Sequence, residues 1–176
     1  MLQMTSSGLA RANICVREAQ DSDYPEATEI SVRVWRQAYR GIIDQSFLDN
    51  ISFAQRLKSR VQWLSELGRY SLIAAYHNKI IGFCDFGISR HPHYAKGEIY
   101  AIYVLPEYQR IGVGSLLLQQ AISRLTQERL IPCIVIALEQ NLSAQQFYEG
   151  MGFIFIDKIL ANIGNKEYLE KVYISQ

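Results

Sequence analysis

Six consecutive residues, Gln109-Arg110-Ile111-Gly112-Val113-Gly114, have the types and spacing to hold a phosphate. They follow an apolar run, Ile99 to Leu105, and open a helical pattern, Val113 to Glu128. Glycine lets backbone come close to a ligand. The first N–H groups of a helix have no partner within it, and the aligned peptide dipoles place partial positive charge there. A strand, a turn with two glycines and a helix N-terminus therefore make a seat for a diphosphate. Residue type excludes two kinds of phosphate loop. A Walker loop needs Lys and then Ser or Thr after its last glycine, where this chain has Ser115-Leu116. A dinucleotide fingerprint needs a third glycine three residues after the second, where this chain has Leu117. Taken alone, two glycines at a strand–helix turn serve structure as readily as a ligand.

A second segment removes that ambiguity. The chain reads Asn141-Leu142-Ser143-Ala144-Gln145-Gln146-Phe147-Tyr148-Glu149-Gly150-Met151-Gly152-Phe153. This resembles Asn-x-x-Ala-x-x-Phe-Tyr-x-x-x-Gly-Phe, one signature of the GNAT superfamily of N-acetyltransferases. The loop resembles the other, Gln/Arg-x-x-Gly-x-Gly/Ala, and Glu98 to Gln109 is similar to the family's central strand entering that loop. The resemblance covers residues 13 to 175 and is loosest in the N-terminal third.

The resemblance implies acetyl-CoA as co-substrate and no metal. It implies transfer of the acetyl group to a primary amine of a small molecule (polyamine-like, an amino acid or similar) by direct attack in a ternary complex. The N–H groups of Arg110, Ile111, Gly112, Val113, Gly114 and Ser115 would hold the diphosphate, with Gln109 orienting the loop. The pantetheine arm would pair with Ile102, Tyr103 and Val104 as a pseudo-strand. Asn141 would cap the short helix and reach the pantetheine, Ala144 would leave room for it, and Phe147 and Tyr148 would flank it. Two other functions stay open: acetylation of proteins or peptides, and acetyl-CoA sensing without catalysis.

The chemistry needs an acid and a base. A primary amine of pKa about 10.4 is neutral in roughly one molecule per few thousand at pH 7, so a base helps. The leaving thiolate belongs to a thiol of pKa about 8.5 and benefits from a proton. By resemblance Tyr148 is the acid and Glu98, at the start of the central strand, is the base, with Asp85 and Glu139 as other carboxylates. Trp35 and Tyr39 belong to a segment similar to Trp-x-x-x-Tyr-x-Gly-Ile of a subgroup that includes polyamine acetylators. This chain departs from that subgroup at Asp44-Gln45, where proline is common. Trp35 and Tyr39 lie four apart on one helical face, directed at a pocket or at the core, and in a pocket could hold a cationic amine by cation–π contact.

The elements that must position these residues are legible from periodicity. Asn13 to Arg17 alternates, with Ile14 and Val16 inward. Asp21-Ser22-Asp23 starts a helix to about Tyr39 with Ala27, Ile30, Val34 and Ala38 on one stripe. A helix over Ser52 to Leu67 should bury Leu57, Val61, Leu64 and Trp63. Strands Tyr70 to His77 and Ile80 to Ser89 meet at an Asn78-Lys79 turn. Then come a loop, the strand Glu98 to Leu105, the helix Val113 to Glu128 with Val113, Leu117, Ala121 and Leu125 inward, the strand Pro132 to Leu138, the helix Asn141 to Glu149, and a hairpin of Gly152 to Leu160 with Lys166 to Ile174. The expected fold is α+β (mixed α/β): a GNAT-like, mostly antiparallel sheet of about seven strands, helices on both faces, and a splayed parallel pair. Residues 1 to 12 are expected as a flexible N-terminal tail and 13 to 176 as one domain.

Bulk composition fits. Hydrophobic content of 49% supports a core, and a net charge of +1 points to neither nucleic acid nor a membrane surface. No apolar run approaches the roughly 20 residues that span a bilayer. Cys15, Cys84 and Cys133 sit in strand-like runs without Cys-x-x-Cys spacing, so all three are expected as small buried hydrophobes in the cytoplasm. His91 and His93 flank Pro92 without an evident third metal ligand. Dimers are frequent in the superfamily, so a homodimer is an open expectation.

Overall fold

The computed structural model describes residues 13 to 176, and the tail expected for residues 1 to 12 lies outside them. The elements are β1 (Ile14–Glu18), α1 (Tyr24–Ala38), α2 (Gln45–Asp49), α3 (Phe53–Leu64), β2 (Arg69–Tyr76), β3 (Lys79–Ile88), β4 (Gly97–Val104), α4 (Val113–Gln127), β5 (Cys133–Leu138), α5 (Leu142–Gly150), β6 (Ile154–Ile163) and β7 (Lys166–Ile174). The seven strands form one sheet in the order β1-β2-β3-β4-β5-β7-β6. Only β4 and β5 run parallel; the other pairs are antiparallel. This is the expected mixed sheet.

Each face of the sheet is closed by the helices whose stripes match it. Val113, Leu117, Leu118, Ala121 and Leu125 of α4 are fully enclosed against Cys84, Phe86 and Ile99. Burying a large aliphatic side chain contributes about 1.5–3 kcal/mol, so this stripe holds α4 firmly. On the opposite face Ala27, Ile30 and Val34 of α1 pack on Ile73 and Phe83. Ala38, expected on that stripe, is exposed. There the helix turns Trp35 and Tyr39 onto a separate cluster with Ile43, Leu48 and Ile51 instead.

Local departures from the expected elements have physical causes. The β2–β3 turn is His77-Asn78, one residue earlier than expected, because Tyr76 pairs with Lys79. Both turn residues take positive φ (46° and 64°), as a two-residue type I′ hairpin requires. The short helix α2 lies in a segment where periodicity predicts no element; Asp44 caps it by accepting from Ser46 N at 2.9 Å. Asp44, which departs from the polyamine-subgroup pattern, thus has a structural role. Helix α3 ends at Leu64, and Val61 is 47% exposed. Leu57, Trp63 and Leu64 are half-buried, so the expected stripe is turned inward only in part. Cys84 and Cys133 are buried, but Cys15 is exposed. It alternates with Ile14 and Val16, which take the inner side of β1.

Two irregularities in β4 shape the centre of the molecule. Its ladder with β5 contains only Gly97–Cys133, Glu98–Ile134 and Ile99–Val135. Beyond Ile99 the two strands part, while β5 continues to Leu138 paired with β7. On its other side β4 pairs with β3 throughout, but Asp85 faces Ala101 and Phe86 faces Ile99, leaving Tyr100 as a bulge. A bulge shifts the alternation by one. Glu98 therefore shares a face with Ala101, Tyr103 and Asp85, the face covered by α1 and α3.

Candidate active site

The glycine loop begins where β4 ends. A short turn, Pro106–Tyr108, separates β4 from Gln109. The Gln109 Nε2 donates to the Val104 carbonyl at 2.9 Å, which ties the loop to the strand end. Arg110 and Gly112 both adopt left-handed backbone, with φ of 64° and 91°. Left-handed residues at alternate positions turn successive N–H groups inward, the geometry of an anion nest. The first helical bond of α4 runs from Leu116 N to Gly112 O at 3.0 Å. The N–H groups of Val113, Gly114 and Ser115 precede it and have no partner inside the helix. The Arg110 side chain is exposed. Gly114 faces α5: a Cβ there would lie 3.4 Å from Phe147 Cζ, so the Phe147 ring seats α5 against the loop.

Helix α5 packs Ala144, Phe147 and Tyr148 into the core cluster that holds Ile102 of β4 and Val135 and Ala137 of β5. Its N-cap Asn141 accepts from Ala144 N at 3.2 Å. Gln145, buried between α5 and the sheet, donates to the carbonyls of Leu138 and Glu139 and accepts from Lys171 at 2.8 Å. This staple holds α5 to the end of β5 and to the middle of β7. Tyr148 is 6% exposed and packed among Phe147, Phe153 and Tyr173. Burial pushes its phenol well above the ordinary range, and the neighbouring Tyr39 adds to this. Tyr148 therefore stays protonated across the working pH range.

Three phenols from three elements meet here. Burial, then Tyr39, raises Tyr103; burial also raises Tyr39, partly offset by Asn141 and Tyr103 beside it. Trp35 Nε1 donates to the Tyr103 hydroxyl at 2.7 Å and its ring meets Tyr39 edge-on at 4.9 Å. The structure thus brings together Tyr39, Tyr103, Asn141 and Tyr148. Trp35 joins the group, but its ring face carries the protein's own Arg56 guanidinium at 4.3 Å. The expected aromatic wall is therefore partly occupied by a cation the chain supplies itself.

A cavity of about 630 Å³ lies between α3 and β4, lined by Tyr100, Ala101 and Tyr103 on the strand. Of the carboxylates, Asp85 lines this cavity. It receives Arg60 Nη2 at 2.7 Å, and burial nevertheless raises its carboxyl above the usual range. Glu98 is fully enclosed and accepts three hydrogen bonds from Arg90, one from the backbone N at 2.8 Å and two from the guanidinium. Arg90 borders the cavity, with Glu98 behind it. Glu139 lies elsewhere, on the surface, paired with Lys158 at 2.6 Å.

The residues that sequence reasoning misses are on α3. Gln55, Arg56, Ser59 and Arg60 recur at helical spacing and all line the cavity, beside Trp63, which the periodicity already turns inward. Their signal is a polar stripe, which the apolar residues on the neighbouring face outweigh when burial is assigned by hydrophobicity. Gln145 also escapes; a glutamine one turn before Tyr148 carries no distinctive signal in a single sequence.

The model of the Acetyltransferase (GNAT) family matches residues 27 to 153, which include the loop, both parting strands and all of α5. The chain belongs to the GNAT family. YuaI of Bacillus subtilis, named as an N-acetyltransferase, is 31% identical over 132 residues, 74% of this chain and 75% of YuaI. The spermidine N(1)-acetyltransferase of Thermoplasma acidophilum is 25% identical over 170 residues, 93% of this chain and 99% of that protein. The fold matches that of the PaiA N-acetyltransferase of Thermoplasma acidophilum, solved with coenzyme A, at a TM-score of 0.70 and 24% identity, covering 90% of this chain and 98% of that one. As a GNAT N-acetyltransferase the chain is an acyltransferase. Among its described residues, no helix is long and apolar enough to cross a membrane.

Proposed function

We propose that this GNAT chain binds acetyl-CoA in the gap between β4 and β5 and moves the acetyl group to a primary amine of a small molecule. The observation that carries this reading is the parting of the strands after Ile99, directly beside the loop nest and with Tyr148 on the far wall. The Arg110 to Ser115 N–H groups receive the diphosphate, and the β4 backbone from Ile102 to Val104 receives the pantetheine. Asn141, Ala144 and Phe147 border the same gap from α5. The cavity volume falls in the range of small-molecule pockets, about 300–1,000 Å³, which favours a small acceptor over a protein chain. The Thermoplasma relative's name is consistent with a small amine. Buried Cys84 and Cys133, both free, suit a reducing compartment, the cytoplasm.

The amine nitrogen attacks the thioester carbonyl; a C–N bond forms and the C–S bond breaks. A carboxylate takes the proton released from nitrogen, and Tyr148 provides one to sulfur. Glu98 is the base at the position that matches the family strand. Asp85 is a second reading, favoured because it lines the cavity while Glu98 stands behind Arg90. The pH profile of kcat/KM separates them. The group whose loss removes the limb on which activity rises with pH is the base. Glu98→Gln retaining that limb while Asp85→Asn removes it assigns the role to Asp85, and the reverse assigns Glu98.

The function itself is tested by following free thiol from acetyl-CoA over polyamines, amino acids, aminoglycosides and peptides. Amine-dependent release with a small acceptor supports the reading. Release with peptides alone, or tight acetyl-CoA binding without release to any amine, contradicts it.

A further inference from the structure

Three guanidinium groups border the cavity, Arg56, Arg60 and Arg90, with a single carboxylate, Asp85, among its lining. Two of the three are neutralised where they stand. Arg60 is paired with Asp85 and Arg90 with Glu98. Glu170, half-buried on β7, feels the charges of Arg90 and Glu98. Arg56 has no carboxylate within ion-pair distance among the described residues.

The surroundings of Arg56 make that absence informative. Its Nη1 donates to Ser31 Oγ at 3.0 Å and its plane lies over Trp35. A guanidinium carries five N–H donors in a fixed fork, suited to a carboxylate. Burial works against its charge, and the groups that feel that charge are the phenols of Tyr103 and Tyr39. Arg56 lines the cavity together with Tyr103 of β4, and the Trp35 ring it covers donates to the Tyr103 hydroxyl, so its guanidinium stands at the β4 wall. A second, independent observation comes from the next turn of α3. Arg60 is 8% exposed at its side chain, and its Nε is buried with no hydrogen-bond partner. A buried donor without a partner carries a desolvation cost, so this face of the cavity is rich in donors and short of acceptors.

A polyamine would bring ammonium groups against an uncompensated guanidinium, and the Trp35 face that could hold a cation already holds one. We propose that the acceptor carries a carboxylate which Arg56 receives, so that the substrate is an amino acid or similar amino-carboxylate rather than a polyamine. This rests on the acetyltransferase reading above and names its acceptor class.

The experiment compares matched acceptors that differ by the carboxylate: L-lysine with cadaverine, and L-phenylalanine with phenethylamine. Thiol release gives kcat/KM for each. The wild-type protein is expected to favour the carboxylate member by on the order of tenfold to a hundredfold, the effect of a charge-assisted hydrogen bond. Arg56→Gln should erase the ratio through KM, and Arg56→Lys should keep part of it. Preference for spermidine or for the decarboxylated amines, or an unchanged ratio in Arg56→Gln, overturns the proposal. If no amine is acetylated, the function reading fails, and the same pairs are titrated calorimetrically into CoA-saturated protein. Carboxylate-selective binding that is lost in Arg56→Gln then still supports the site; equal binding of both members, or binding of neither, overturns it.

Discussion

Tyr148→Phe is expected to lower kcat by about 10²–10⁴-fold, the usual contribution of a positioned general acid. Acetyl-CoA affinity should stay close to that of the wild type. The substitution removes one hydroxyl and leaves the ring, so the contacts with Phe147, Phe153 and Tyr173 persist and the protein should fold. The chemistry explains why the loss falls on turnover. In water, proton transfer from a phenol of pKa about 10 to a thiolate whose acid has pKa about 8.5 is uphill by about 2 kcal/mol. Burial raises Tyr148 further, so the hydroxyl is held as a donor and does not ionise beforehand. The same dry surroundings make a departing thiolate more basic, and its demand for a hydrogen bond peaks as the C–S bond breaks. Calorimetry with CoA and turnover at saturating substrates separate binding from chemistry. Unchanged turnover would remove Tyr148 from the mechanism.

Gly112→Val is expected to weaken acetyl-CoA binding by on the order of a hundredfold, from the loss of one or two charge-assisted hydrogen bonds. Gly112 holds φ of 91° at the N-cap of α4, a conformation that a β-branched residue rarely adopts. The strained loop would relax toward negative φ and turn its N–H groups away from the diphosphate. Melting temperature should fall only slightly, because the α4 stripe from Val113 to Leu125 is untouched. Gly114→Ala is the contrasting control. Its Cβ meets Phe147 at an ordinary contact distance, so binding should be nearly retained. CoA affinity unchanged in Gly112→Val would mean that the nest does not hold the diphosphate.

The parts of this protein legible in its sequence are those where one residue type answers one physical need. The α4 stripe is legible at each of its four main positions because period and burial coincide there. The loop's shape is legible because Gly112 supplies the left-handed backbone at which α4 starts. Contacts between distant segments are not. That Glu98 is sealed by Arg90 depends on a loop returning beside β4, and that it faces α3 at all depends on a one-residue bulge at Tyr100. Helix α3 misleads for a different reason. A helix that borders a cavity turns polar residues inward, so Arg56 and Arg60 look like a solvated face. Sequence leaves the Trp35 and Tyr39 pair between pocket and core, and the structure packs them on Ile43 and Leu48, with Trp35 beside Tyr103 and Arg56 but neither residue lining the cavity.

A crystal structure of the protein with coenzyme A decides where the donor sits. The diphosphate is expected on the N–H groups of Arg110 to Ser115, the pantetheine alongside Ile102 to Val104 in the gap from β5, and the sulfur within hydrogen-bond reach of the Tyr148 hydroxyl. Coenzyme A bound outside the β4–β5 gap, or its sulfur turned away from Tyr148 with the loop unoccupied, would contradict this placement.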